Sequence, residues 1–124
     1  MSKRILIAED SSVIQTLTKK ILGQLHFEVQ TVKNGEEVID IIKHQQFDLI
    51  FMDINMPVMD GMECTRKIRS MSDSSKSDIP IVAITGNAKN YSHNDFMDAG
   101  VSYVLQKPLD FDNLVEVALK YTSQ

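Results

Sequence analysis

Four strand-length apolar runs in this chain finish on a charged or hydroxyl side chain. Ile5-Leu6-Ile7-Ala8 runs into Glu9-Asp10, the run from Phe47 to Met52 into Asp53, Ile81-Val82-Ala83-Ile84 into Thr85, and Tyr103-Val104-Leu105-Gln106 into Lys107. Between them lie longer segments of helical period. Such alternation implies βα units and a parallel sheet with helices on both faces. In open sheets of that kind, ligands and chemistry are found at the carboxyl ends of the strands. Acids, a hydroxyl and an ammonium from four separate strands therefore converge on one edge.

The periodicity predicts the elements in order. Strands are expected at about 5–9, 28–32, the run ending at Asp53, 79–85 and 102–106. Helices are expected at about 12–22, from Asn34 onward, 61–71, 88–99 and 111–121. Val13, Ile14, Leu17, Ile21 and Leu22 form the apolar stripe of the first helix, and Val38, Ile41 and Ile42 that of the second. Asn34 with Glu37 three residues on has capping-box spacing. The Ser72–Asp78 stretch is polar and low in complexity, and reads as a loop rather than a domain linker. The segment from Asn87 to Asp95 is rich in residues that prefer turns and caps, so the fourth predicted helix is the least stable one.

A chain of 124 residues is one domain, 1–124, with a single sizeable core. A net charge of −4 supplies no basic patch and excludes direct nucleic-acid binding. No apolar stretch nears the roughly 18 residues of a membrane span, and no signal segment precedes the first strand, so a cytoplasmic protein is expected. Cys64 is the single cysteine and rules out a disulfide framework; it reads as a buried helix residue. His26, His44 and His93 lack ligand spacing and read as surface residues.

Glu9, Asp10, Asp53, Thr85 and Lys107 make a coherent constellation. Clustered carboxylates stay ionised only beside a cation. Oxygen ligands without His or Cys suit a hard ion, Mg²⁺ or Mn²⁺ in its place. Lys107 and Thr85 would hold phosphoryl oxygens, and Asp53 would attack phosphorus to give an acyl phosphate. Each position also has an ordinary reading: a solvated turn for Glu9-Asp10, a helix cap for Asp53, a β-former for Thr85, a surface lysine for Lys107. Their joint placement at strand ends favours the chemical reading.

With Glu9-Asp10, the run Met52-Asp53-Ile54-Asn55-Met56-Pro57-Val58-Met59-Asp60-Gly61, Thr85 and Lys107-Pro108 in this order, the chain resembles a response-regulator receiver domain of two-component signalling over essentially its whole length. The resemblance implies a flavodoxin-like, doubly wound five-stranded parallel sheet of order 2-1-3-4-5. It implies that Asp53 accepts a phosphoryl group from a sensor histidine kinase or a histidine phosphotransfer protein. Asp10, Asp53 and the backbone carbonyl of Asn55 would ligate Mg²⁺, with Glu9 acting through water. Thr85 and Lys107 would contact the phosphoryl group, and the Lys107–Pro108 bond would be cis. Asn55 and Asn87 would tune the loss of the phosphoryl group to water. A partner, or a second copy in a phosphorylation-dependent homodimer, would use the face of the fourth predicted helix, fifth strand and fifth predicted helix.

Two positions depart from the family pattern. Gly86 follows Thr85 where a small side chain is usual. Val104 stands three residues before Lys107, where the family carries its switch aromatic, and Tyr103 one step earlier points to the other face. Two other classes fit less well. An aspartate-nucleophile phosphatase would place its motif after the first strand and carry a second acid where Asn55 stands. A flavin carrier would need a hydroxyl- and glycine-rich loop where Glu9-Asp10-Ser11-Ser12 stands.

Overall fold

The computed structural model describes residues 2–86 and 91–123. Five parallel strands, β1 (Arg4–Ala8), β2 (Glu28–Val32), β3 (Leu49–Asp53), β4 (Ile81–Thr85) and β5 (Tyr103–Gln106), form one sheet of order β2-β1-β3-β4-β5. The helices are α1 (Ser12–Gln24), α2 (Gly35–Ile42), α3 (Gly61–Arg69), α4 (Ser74–Ser77), α5 (His93–Ala99) and α6 (Phe111–Thr122). The order reverses beside β1, and the crevice outside the strand ends at such a switch point is the expected ligand position. β3 and β4 are buried at every residue, which is why both read as unbroken apolar runs.

Strand alternation sorts the core into layers. Leu6, Ala8, Ile50, Met52 and Ile81 pack on one face with Val38, Ile42, Cys64 and Ile68. Ile5, Ile7, Leu49, Phe51, Val82, Ile84 and Leu105 pack on the other with Leu22, Leu114, Val117 and Ala118. A third cluster, Ile54, Met62, Ala83, Phe96, Ala99 and Val101, seats α5 and takes in Val104. By the same parity, Glu9, Asp53 and Lys107 continue the face of Ile7, Phe51 and Leu105. Thr85 continues the face of Ala83, toward α5.

The helix starts carry the side chains their sequence offers. Ser11, Asn34, Asp60, Ser92 and Asp110 each accept a backbone N–H from the first turn of the helix they precede. Glu37 reaches back to the Lys33 N–H at 2.7 Å, one residue before the Asn34 expected of a capping box. The three histidines are exposed, Cys64 is buried, and the Lys107–Pro108 peptide is cis. Burial pushes the Cys64 thiol up to about 12, which leaves it an unreactive core residue.

Three expectations need correction. The polar stretch at 72–78 is not a plain loop: Asp73 accepts from the Ser75 N–H and hydroxyl and starts the single turn α4, giving the expected fifth helix the label α6. Val13 and Leu17 do not join the core but are 65% and 43% exposed, because α1 lies down along Ile14, Thr18 and Leu22. The helix expected from Ala88 begins at His93, since Ser92 and Asp95 bond reciprocally and fix the first turn there. Residues 88–90 lie outside the described part.

Candidate functional site

β1 delivers Glu9 and Asp10, β3 delivers Asp53, β4 delivers Thr85, and the turn after β5 delivers Lys107. One carboxylate oxygen from each of Glu9, Asp10 and Asp53 lies within 4.8 Å of the other two. Asp53 and Glu9 are buried while Asp10 is exposed, so the cluster grades from core to solvent. Lys107 Nζ donates to Asp53 Oδ2 at 3.1 Å and lies 3.9 Å from Glu9 Oε1. The Asn55 N–H donates to Asp53 Oδ1 at 3.1 Å, which holds the carboxylate from the loop side. The main chain also fixes Lys107, whose N–H donates to the Thr85 carbonyl at 2.9 Å.

Electrostatics single out Glu9. Its Oε2 accepts the Ser11 N–H at 3.0 Å, yet its buried Oε1 has no hydrogen-bond partner among the described residues. Burial pushes the Glu9 carboxyl up to about 7, with the Asp53 carboxylate adding to the rise. The Ser11 N–H and the Lys107 ammonium work in the opposite direction. Three acids against one ammonium leave negative charge uncompensated, and an orphaned carboxylate oxygen is costly. Both are what a hard divalent cation with oxygen ligands would relieve, so the residues present fit such an ion.

The space around the cluster is open. A cleft of about 360 Å³ is lined by Glu9, Asp10 and Lys107 together with Ile14, Pro108 and Phe111, so a substrate group can reach the carboxylates. The room that Gly86 leaves is beside the lysine stem: a Cβ there would sit 3.5 Å from Lys107 Cδ, an ordinary contact. The next loop is pinned by close approach. Gly61 N–H donates to the Ile54 carbonyl at 2.9 Å, and Gly35 N–H to the Met59 carbonyl at 3.1 Å. Between these anchors Val58 adopts φ 69° with its side chain 74% exposed.

Every site residue expected at this edge is brought there except Asn87, which lies outside the described residues. Val104 packs toward α5, whereas Tyr103 stands on the opposite face with its ring 6.3 Å from that of Tyr121. The sequence reading missed Gln15. Its Nε2 donates to the carbonyls of Glu9 at 2.6 Å and Val32 at 3.0 Å, tying the ends of β1 and β2 beneath the acidic pair. Only its position between Ile14 and Thr18, on the side of α1 that turns inward, could have marked it.

Comparison with known proteins agrees with this geometry. The family model of the response regulator receiver domain matches residues 5–119. Two-component response regulator 24 of Arabidopsis thaliana is 34% identical over 116 residues, 93% of this chain and 81% of that protein. Hybrid signal transduction histidine kinases K and M of Dictyostelium discoideum are 31% and 36% identical, and the chain spans only 10% and 5% of their lengths. Among solved structures, the receiver domain of a sensor histidine kinase from Pseudomonas aeruginosa, with a magnesium ion coordinated in its active site cleft, matches over 100% of both chains. Its TM-score is 0.88 at 30% identity. The chemotaxis response regulator CheY4 of Vibrio cholerae matches over 98% of this chain and 99% of its own at TM-score 0.88 and 26% identity. The chain belongs to the response regulator receiver domain family of two-component signalling.

Proposed function

We propose that residues 1–124 act as one phosphoacceptor switch in the cytoplasm, with Asp53 taking a phosphoryl group from phosphohistidine on a sensor histidine kinase or a histidine phosphotransfer protein. The observation that carries this reading is the buried Asp53 carboxylate, set among Glu9 and Asp10 within 4.8 Å and bonded to Lys107 at 3.1 Å. An Asp53 oxygen attacks phosphorus, the phosphorus–nitrogen bond breaks, and its electron pair leaves with the imidazole. An acyl phosphate remains on Asp53.

The chain's own residues prepare that step. The Asn55 N–H and the Lys107 ammonium orient the two carboxylate oxygens before a donor arrives. Lys107 then moves its hydrogen bond to a phosphoryl oxygen, the Thr85 hydroxyl takes another, and both stabilise charge spread over the transferring group. Asp10, Asp53 and the Asn55 carbonyl would hold Mg²⁺, or Mn²⁺ in its place, with Glu9 reaching it through water. Such an ion, when bound, supplies positive charge to the phosphoryl oxygens. Attack by water on phosphorus later breaks the bond to Asp53 and releases inorganic phosphate, with Asn55 and Asn87 setting access. The switch thus resets slowly without acting on any other substrate.

The output surface is the face of α5, β5 and α6, open to a partner protein or to a second phosphorylated copy. No helix among the described residues is long and apolar enough to cross a membrane. Intact mass after incubation with acetyl phosphate and Mg²⁺, beside Asp53→Asn, tests the reading. One phosphoryl increment that needs both the metal and Asp53 is expected. No increment, together with no beryllofluoride complex, would sink it.

A further inference from the structure

The β1–β2 register ends at Ala8 and Val32. One more backbone bond follows, from the Glu9 N–H to the Val32 carbonyl at 3.0 Å. Beyond it β2 turns away: the Lys33 N–H goes to Glu37 Oε1 at 2.7 Å, and Asn34 caps α2. The Glu9 carbonyl therefore lies past the last rung of the ladder. Its donor is a side chain, the Gln15 amide, which reaches it at 2.6 Å and the Val32 carbonyl at 3.0 Å. Both acceptors are carbonyls, so both amide protons are committed and the amide has one orientation.

The carbonyl that Gln15 holds belongs to the peptide that carries Asp10. Glu9 is fixed on both sides of its Cα, and its Oε2 accepts the Ser11 N–H at 3.0 Å. Asp10 is exposed, so the plane of that peptide sets its aim rather than packing. Gln15 is half-buried in the first turn of α1, with its own N–H on the Ser11 carbonyl at 3.0 Å. Strand end, helix start and amide thus close a ring over residues 9–15. Such a ring removes backbone freedom at the acidic pair before a cation arrives.

We infer that Gln15 is a positioning residue for cation binding: its amide locks the Glu9–Asp10 peptide and so keeps the Asp10 carboxylate gathered with those of Glu9 and Asp53. Gln15 acts through that peptide and not by touching the ion. Outer groups that orient metal ligands set affinity by about 10- to 100-fold. The inference rests on the phosphoacceptor reading, in which Asp10 and Asp53 hold a divalent ion, and adds a residue on which that affinity depends.

The test titrates the full chain with Mn²⁺ and reads the loss of the free-ion EPR signal, which needs no phosphoryl chemistry. Gln15→Met, of similar length but without a donor, is expected to weaken binding about tenfold or more. Gln15→Asn, which withdraws the amide by one carbon, stands in with the same expectation should Gln15→Met not fold. Thr18→Ala is the control for a weakened α1, since Thr18 is buried on the same helix and bonds the Ile14 carbonyl instead. It is expected to bind Mn²⁺ as wild type does. With acetyl phosphate, Gln15→Met should need more Mg²⁺ for half-maximal labelling yet reach the wild-type rate at saturation. Wild-type affinity in the folded Gln15 variant, or an equal loss in Thr18→Ala, would overturn the inference alone. Wild-type protein that binds no Mn²⁺ would overturn the metal-dependent phosphoacceptor reading and this inference with it.

Discussion

A Cβ placed on Gly61 would stand 2.5 Å from the carbonyl oxygen of Asp53. The same atom would lie 2.9 Å from Ile54 Cα, so the obstruction is backbone and cannot rotate away. The first residue of α3 is thus packed against the very peptide that leaves the central strand. Gly61→Ala is expected to lower unfolding free energy by about 2–3 kcal/mol through overpacking. Urea denaturation checks this; an unchanged midpoint would show that the loop gives way freely.

Arg69 stitches three chain segments at once. Among the described residues no carboxylate comes within ion-pair distance of it; its guanidinium serves the carbonyls of Ser77, Ile79 and Gly100. Arg69→Ala leaves them without that donor, at an expected cost of about 2–4 kcal/mol. The loss should concentrate in α5, whose amides are already expected to exchange faster than those of α1. Hydrogen exchange on wild type and variant decides both points, and equal protection of α5 and α1 would refute the first.

Val58 is a β-branched residue in the left-handed region, with Met59 N–H donating to the Pro57 carbonyl at 2.7 Å across it. Its exposed side chain makes little packing to offset that conformation. Val58→Gly is expected to raise stability by roughly 1 kcal/mol, the relief of strain outweighing the added freedom of the unfolded chain. Thermal unfolding checks the sign. A lower midpoint would mean that the loop gains more from the valine than it loses.

Glu9 gives a pH dependence in the metal-free protein. Its folded pKa of about 7 stands above the ordinary value of 4.5, so between them the native state holds more protons than the unfolded one. The contribution of Glu9 to stability is then full below about pH 4.5 and is lost as pH rises toward 7, by up to about 3 kcal/mol. In EDTA, Glu9→Gln minus wild-type stability should grow across that window. A difference independent of pH would remove burial of Glu9 as a source of instability.

The sequence made the frame legible because strand ends carry two signals at once, an apolar run and the polar residue that halts it. Asp53, Thr85 and Lys107 were found that way, and strand alternation correctly parted Val104 from Tyr103. Longer-range facts left no such mark. Whether Val13 and Leu17 face inward depends on how α1 rolls on the sheet, which its own stripe does not fix. The single turn α4 rests on Asp73 and on Lys76 reaching the Gln45 carbonyl at 3.2 Å, 31 residues away. Gln15 and Arg69 carry no mark in the sequence because their partners are main-chain carbonyls, which every residue has.

The order of the strands has a consequence for biosynthesis. The pair that neutralises Asp53 joins residues 54 positions apart, and the strand that carries Lys107 into place is the last one the ribosome delivers. A nascent chain that has released only β1 to β3 holds Glu9, Asp10 and Asp53 as like charges without their lysine. The acidic pocket is closed by the last of the five strands, so a translation product cut short before it carries the Asp53 carboxylate without its ammonium partner.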